Sequence, residues 1–393
     1  MAGSVILAGA RTPIGKLSGV FASLSAADLG AVAIAAALER AGVTADQVDY
    51  VFMGQVLQAG AGQIPSRQAS PKAGISMSVP STTVNKVCLS GLNTIYLADQ
   101  MIQSGDADIV VAGGMESMTN APYLLPGARA GYRLGDQKVV DSMMFDGLFC
   151  AFDQVAMGAG TEKYAASAGI ERAPQDDLAA KSHERAAAAI KDGRFNDEIV
   201  PVPVPQRKGD PIMVDTDEGV RPETTVDSLG KLRPAFDKAG NITAGNASQI
   251  SDGASAVIVT SAAKAEELGL AALGEIVGYG QVAGPDPSLL TQPSRSIKAA
   301  ADRAGVKITD IDLFELNEAF AAVGVASMAD LGITDDIVNV NGGAIALGHP
   351  VGMSGNRVAL TLLHELKRRG GGLGAAALCG GGGQGDAILL RSL

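Results

Sequence analysis

Arg40-Ala41-Gly42-Val43, with Val48-Asp49 close behind, returns 263 positions later as Arg303-Ala304-Gly305-Val306 with Ile311-Asp312. Leu29 to Ala41 reads as a helix of small and apolar residues that Gly42 stops. Ser90-Gly91 likewise matches Ser354-Gly355, and each pair opens a helical pattern followed by a strand that ends in glycines. Those strand ends are Val110-Val111-Ala112-Gly113-Gly114 and Ala377-Leu378-Cys379-Gly380-Gly381. A period this long is no solenoid unit; it marks a duplicated domain.

Working outward, Val5 to Leu7, Val48 to Met53 and Ile109 to Ala112 read as short buried strands alternating with helices, the pattern of a layered α/β domain. Thr119 to Ser248 breaks that rhythm. It carries Pro201, Pro203, Pro205 and Pro211 and a helical piece from Pro174 to Asp192, so it reads as an inserted loop domain covering a site built on the rigid halves. The boundaries expected are 1–118 with 249–270 for the first half, 119–248 for the insertion and 271–393 for the second half.

Composition narrows the function classes. Of 393 residues, 47% are hydrophobic and 19% charged, which suits a globular chain with a large core. The net charge of −11 argues against nucleic acid and anionic membranes as partners, while leaving room for an anionic ligand on a local basic cluster. Three scattered cysteines, Cys88, Cys150 and Cys379, do not make a disulfide framework and suit a reducing cytoplasm. No apolar run reaches the ~18 residues of a membrane span. The first residues read as a short strand interrupted by Arg11, not a signal peptide, and the last three as a plain strand end.

Cys88 stands in Val84-Asn85-Lys86-Val87-Cys88-Leu89-Ser90-Gly91-Leu92, just ahead of a helix whose Leu92, Ile95 and Ile102 share a face. A thiol at a helix start meets free N–H groups and the positive end of the dipole, both of which favour thiolate. The competing reading is a small buried hydrophobe. His349 lies in Asn341-Gly342-Gly343-Ala344-Ile345-Ala346-Leu347-Gly348-His349-Pro350, a rigid turn suited to a base or hydrogen-bond donor. His183 and His364 look like solvated surface, and no two of the three histidines have metal-ligand spacing, so no metal is expected. Cys379 precedes Gly380-Gly381-Gly382-Gly383, where backbone N–H groups can line an oxyanion pocket. Asn317-Glu318-Ala319-Phe320 follows a strand, with Asn317 either capping a helix or pointing into a cleft.

Together these residues sit at strand ends and helix starts of two like halves, where α/β ligand sites form. Asn85-Lys86-Val87-Cys88, Asn317 to Phe320, Gly342 to Pro350 and Cys379-Gly380-Gly381 all resemble the thiolase family. So do Arg11-Thr12-Pro13-Ile14-Gly15 and Ala244-Gly245-Asn246-Ala247-Ser248, in family order over essentially the whole chain. The resemblance implies the thiolase fold: two duplicated βαβαβ-type halves in a layered αβαβα arrangement, with an inserted loop domain. It implies an acyltransferase that cleaves 3-ketoacyl-coenzyme A and condenses two acetyl-coenzyme A. Cys88 would carry the acyl group, His349 accept its proton, Cys379 act as general acid/base, and Asn317 with His349 stabilise the enolate. Backbone N–H groups of Cys88 and Gly381 would form a second oxyanion hole.

Coenzyme A would be substrate and product, with no permanently bound cofactor. The resemblance places it on Arg221, Ser228, Ala244 and Ser248, and lines the acyl region with Met157, Phe320, Ala156, Leu89 and Met353. It also implies a homotetramer, built as a dimer of dimers through Tyr123 to Met143. The chain departs from the usual pattern at Leu89 (a smaller residue is usual), Met353 (Ala), Gly380 (a branched aliphatic residue), Gln384 (Met) and Ala156 (His in short-chain biosynthetic members). Two rival readings are a ketoacyl-synthase-type condensing enzyme, which would lack the second catalytic cysteine, and a non-catalytic lipid-binding or acyl-CoA-binding relative, which would not need the full set. A catalyst moves no equilibrium, so the residues leave degradation, such as β-oxidation, and synthesis equally open.

Overall fold

The structure, a computed structural model, describes residues 3–393. In the first half, β1 (Ser4–Arg11), α1 (Ala26–Ala41), β2 (Tyr50–Gly54), α2 (Pro65–Lys72), β3 (Ser81–Val84), α3 (Ser90–Ser104) and β4 (Ile109–Ser117) run in sequence. After the insertion, β5 (Ser251–Ser261) completes a sheet in the order β3-β2-β4-β5-β1. The second half supplies β6 (Gly274–Ala283), α7 (Gln292–Ala304), β7 (Leu313–Leu316), α8 (Ala321–Leu331), α9 (Ser354–Arg368), β8 (Gly372–Gly380) and β9 (Gln384–Ser392), ordered β7-β8-β9-β6.

The duplication extends to detail. β2 and β7, and β4 and β8, begin 263 positions apart. The pairing senses also match: β2–β4 and β7–β8 are parallel, β4–β5 and β8–β9 antiparallel. The counterpart of β3 shrinks to one parallel bridge, Phe314 to Val338. Gly42 and Gly305 both end their helices in the left-handed region, at φ 66° and 68°, as the repeated Ala-Gly requires. Ser25 opens α1 with a reciprocal capping box to Asp28.

Strand residues alternate between two cores, and this alternation sets the layers. Val5, Leu7, Ile109, Val111, Ala256 and Ile258 pack under α1, whereas Ile6, Val110, Ala112, Val257 and Val259 face α3 and α9. In the second half Ala375, Ala377 and Leu389 pack under α7, while Ala376, Leu378, Ile388 and Leu390 meet the same central helices. The result is five layers, αβαβα, with α3 and α9 in the middle. The two sheets join at one edge, where Val5 and Ile6 of β1 pair with Glu275 and Gly274 of β6.

The inserted stretch forms short ladders, including Val202–Val204 against Ile212–Val214, and the helices α4 (Met157–Ser167) and α5 (Arg172–Lys191). Arg11, fully buried, ties it to the first half. Its guanidinium donates to Glu198 at 2.6 Å and to both oxygens of Asp217 at 2.7 and 2.9 Å, and it lies 5.0 Å from the Phe195 ring. Among the described residues no helix is long and apolar enough to cross a membrane.

At the centre, α3 and α9 meet backbone to backbone. A Cβ on Gly91 would stand 2.8 Å from the Asn356 nitrogen and the Gly352 oxygen, and one on Gly355 would overlap the Leu92 nitrogen. Gly355→Ala should therefore destabilise the fold by about 1–3 kcal/mol through overpacking. Gly230→Ala, with no atom within reach of its Cβ, should stay within about 0.5 kcal/mol. Denaturant midpoints of the two variants against the parent check this; equal midpoints would contradict the close packing.

Candidate active site

Cys88 lies on the loop between β3 and α3, two residues before the helix begins. Val87, immediately before it, has φ 50°, a strained conformation for a β-branched residue. Ser90 holds the turn: its hydroxyl donates to the Val87 carbonyl at 2.6 Å and accepts from the Lys86 N–H at 2.8 Å. Asn85 Oδ1 accepts from the Val87 N–H at 3.0 Å. Lys86 pairs with the buried Asp386 of β9 at 2.8 and 2.9 Å, and Tyr279 donates to the same carboxylate at 2.7 Å. The loop is thus fixed from both halves.

The Cys88 sulfur is faced by its own N–H and that of Gly381, which pull its pKa down, but burial dominates and pushes the thiol up to about 11. The helix start therefore does not leave a resting thiolate, contrary to the reading from position alone. Cys379, at the end of β8, is almost fully buried against Leu289, Ala319 and Val323. Burial, then the nearby Cys88, raises its thiol far above the ordinary range.

His349 is buried beside Asn317, whose Nδ2 lies 3.4 Å from His349 Nε2. The Ser354 hydroxyl donates to the Pro350 carbonyl at 3.0 Å, so it accepts from Nδ1–H of His349 at 2.6 Å. That assigns the proton to Nδ1 and leaves Nε2 unprotonated, an acceptor facing the Asn317 amide N–H. Burial, and then the Arg357 charge, lower the imidazole to about 3, so it is neutral at ordinary pH. Asn317 does not cap a helix, because α8 begins four residues later with Phe320 as its cap. Its buried Oδ1 has no partner and suits a water or ligand group.

His349 opens onto a largely apolar cavity of about 350 Å³. Ala156, Met157 and Phe320 of the predicted acyl region line it, as do Ala244 and Ser248 of the predicted coenzyme A contacts. Met144, Leu148 and Phe236 also line it and were not foreseen. Leu89 and Met353 are fully buried and are not among the residues that line this cavity. Leu89 points into the central layer, where a Cβ on Gly380 would lie 2.6 Å from its Cγ. Met353 packs with Ile14 and Leu347 and lies against Gly253. Arg221, on an exposed loop, and Ser228, in the short helix Val226–Gly230, lie outside the wall; the Ser228 hydroxyl completes a capping box with Thr225.

Two histidines read as surface are not. His183 is buried and its Nδ1 accepts from the Arg221 N–H at 3.1 Å, and His364 is partly buried. Among the described residues no group of three or more His, Cys, Asp or Glu side chains could hold a metal. Sequence reasoning missed Ser354 as the orienting partner of His349, noting it only as a mark of the repeat. It also missed Glu116, a buried carboxyl in the otherwise apolar β4. An acid within such a run was the available signal.

Comparison with known proteins places this geometry. Residues 4–263 match the family "Thiolase, N-terminal domain" and residues 270–392 match "Thiolase, C-terminal domain". A probable acetyl-CoA acetyltransferase of Mycolicibacterium smegmatis is 58% identical over 98% of this chain and 100% of its own. One of Mycobacterium tuberculosis is 56% identical over all of both chains. An acetyl-CoA acetyltransferase of Cupriavidus necator is 53% identical over 98% of each.

Leu89 and Gly380 behave as one packing unit, the large residue filling the space the glycine leaves. Gly380→Val alone should destabilise by about 1–3 kcal/mol, and Leu89→Ala in the same chain should recover most of that loss. A double-mutant cycle measures the coupling; additive effects would show the two sites to be independent.

Proposed function

This chain belongs to the thiolase family, and from that premise we propose how its own residues carry the reaction. It is an acyltransferase that cleaves 3-ketoacyl-coenzyme A with coenzyme A and condenses two acetyl-coenzyme A in reverse. The observation that carries the assignment of roles is the pair of N–H groups, from Cys88 and Gly381, converging on the one partly exposed thiol.

In cleavage, the Cys88 sulfur attacks the ketone carbon. Because the thiol is raised and the imidazole lowered, the resting pair is neutral, and the proton passes to His349 Nε2 as the S–C bond forms. The tetrahedral oxygen takes the N–H groups of Cys88 and Gly381, a donor set worth roughly 3–4 kcal/mol. Breaking the carbon–carbon bond leaves the acyl group on Cys88 and an acetyl-coenzyme A enolate. Asn317, through a water on its Oδ1, and His349 stabilise that enolate, and Cys379 protonates its carbon. Incoming coenzyme A then gives its thiol proton to the Cys379 thiolate and takes the acyl group, and the released Cys88 sulfur recovers its proton from His349. Condensation runs these steps backwards, with Cys379 removing the α-proton. Coenzyme A enters as substrate along Ala244 and Ser248, and Arg221 and Ser228 meet its outer part; no bound cofactor takes part. A ketoacyl-synthase-type chemistry and a non-catalytic binding role are not favoured beside full-length relatives named acetyl-CoA acetyltransferases.

The remaining readings are of the same standing. The domain limits are 1–118 with 249–270, 119–248 and 271–393. The enzyme works in the cytoplasm, as three free thiols suit. It assembles as a homotetramer through the segment from Tyr123 to Met143, where Tyr123 on a short two-stranded ladder and Leu125, Leu134 and Val139 between its strands are exposed.

Incubation with acetyl-coenzyme A should leave an acetyl group on the peptide holding Cys88; an adduct on Cys379 or Cys150 would overturn the assignment. In Cys379→Ala that transfer should persist, while carbon–carbon bond formation falls by roughly 10². Equal losses in both half-reactions would contradict the division of labour.

Acyl range follows from the cavity wall. With Met353 outside it, Ala156 is the departure that acts, leaving space beside the acyl group. Each further buried CH₂ contributes about 0.8 kcal/mol. Thiolysis efficiency should stay within about a hundredfold from four-carbon to eight-carbon substrates, and Ala156→His should narrow the range. A steeper fall in the parent enzyme would confine it to acetoacetyl-coenzyme A.

A further inference from the structure

Glu116 stands near the end of β4 and is fully buried, yet the acyl-transfer steps make no use of it. Its carboxylate accepts three backbone N–H groups: Val56 on Oε2 at 2.9 Å, Leu57 on Oε1 at 3.1 Å, and Gly352 on Oε2 at 3.0 Å. Val56 and Leu57 follow β2 in the first half, whereas Gly352 belongs to the His349-Pro350-Val351-Gly352 turn of the second. The same segments enclose the nucleophile, since Val56, Leu57 and Val351 form the apolar cluster on which Cys88 rests. All three partners are donors, which favours the carboxylate, while burial outweighs them and pushes the group up to about 7.

The duplication sharpens the meaning of this contact. Cys88 and Gly352 occupy equivalent places, 264 apart, each two residues before the serine that opens a central helix. Glu116 of the first half therefore holds the second-half position that corresponds to the nucleophile. The far side of Gly352 is closed as well, because its carbonyl oxygen rests over Gly54 and Gly91, 2.8 Å from where a Cβ on either would stand.

We propose that Glu116 is a positioning residue for acyl transfer: it clamps the turn carrying His349 onto the segment beneath Cys88 and so sets the alignment of base and nucleophile. This rests on the acyl-transfer reading above. Removing the clamp lets the turn shift relative to the sulfur; neither Glu116 nor Gly352 itself lines the cavity, although His349 and Val351 of the turn do. A displacement near 1 Å is enough to cost about 10²-fold in rate.

The test compares Glu116→Gln, which keeps the length but turns one acceptor into a donor, with Glu116→Asp, which keeps the charge but falls a methylene short. Both should lower the single-turnover acetylation of Cys88 by about 10–100-fold, with KM for acetoacetyl-coenzyme A within about threefold of the parent and a cooperative melt. Full activity in either variant, a change in KM alone, or a rate that merely follows the folded fraction overturns the proposal. Should neither variant fold, hydrogen exchange in the parent enzyme decides. The Val56, Leu57 and Gly352 amides should exchange as one unit and slow together on acetylation; independent exchange of Gly352 overturns the clamp. A parent enzyme that neither acetylates Cys88 nor releases coenzyme A from acetoacetyl-coenzyme A would instead refute the functional reading itself.

Discussion

Everything in this molecule depends on the contact between the starts of its two central helices. Gly91 of α3 and Gly355 of α9 touch backbone to backbone, with no side chain between them. That distance is available only to glycine. Each helix is preceded by a functional loop, Cys88 before one and His349 to Met353 before the other, so closing the helix starts brings nucleophile and base together from residues 261 positions apart. The outer layers then serve this contact. They bury both sheets on both faces, which leaves the inner helices no freedom to slide without opening a close-packed core.

A site placed so deep must work against desolvation. Burial raises both thiols and lowers the imidazole, so each group rests in its neutral form. Charge therefore appears only during reaction, at atoms where donors already wait: the N–H groups of Cys88 and Gly381, and the amide of Asn317. Donors fixed by the backbone need no reorganisation when the charge develops. The strain at Val87 belongs to the same design. The Ser90 and Asn85 hydrogen bonds and the Lys86–Asp386 ion pair hold the strained form.

The fold was legible wherever local chemistry decides structure. The repeated Arg-Ala-Gly marked two helix ends because a left-handed cap needs glycine, and Ser-Gly marked two helix starts because the backbones touch there. What stayed hidden depends on distant partners. Leu89 and Met353 sit beside catalytic residues in sequence, yet a helix start turns neighbouring side chains in different directions, and both point into the core. His183 lies in a polar helix and gave no sign that the loop at Arg221 covers it. Ser354 carried no mark of its role because a hydroxyl orients an imidazole through geometry alone. The Arg11 motif was recognised without a reason; its ion pairs to Glu198 and Asp217 supply one, as the anchor of the insertion.

Duplication also explains why a two-fold scaffold holds a single site. The positions equivalent to Asn317, His349, Cys88 and Cys379 are Gly54, Asn85, Gly352 and Met115, read at the offsets that align the strand pairing and the central helices. None of these four is a nucleophile or an imidazole. Gly54 admits the Gly352 carbonyl, Asn85 braces the turn before Cys88, and Glu116, next to Met115, binds Gly352. The central helices can approach closely only if one of the two equivalent crevices is filled. Filling it with backbone and a carboxylate, rather than with bulky side chains, leaves polar groups that must be satisfied, and they are satisfied by the turn that carries His349. The closed crevice thus braces the open one.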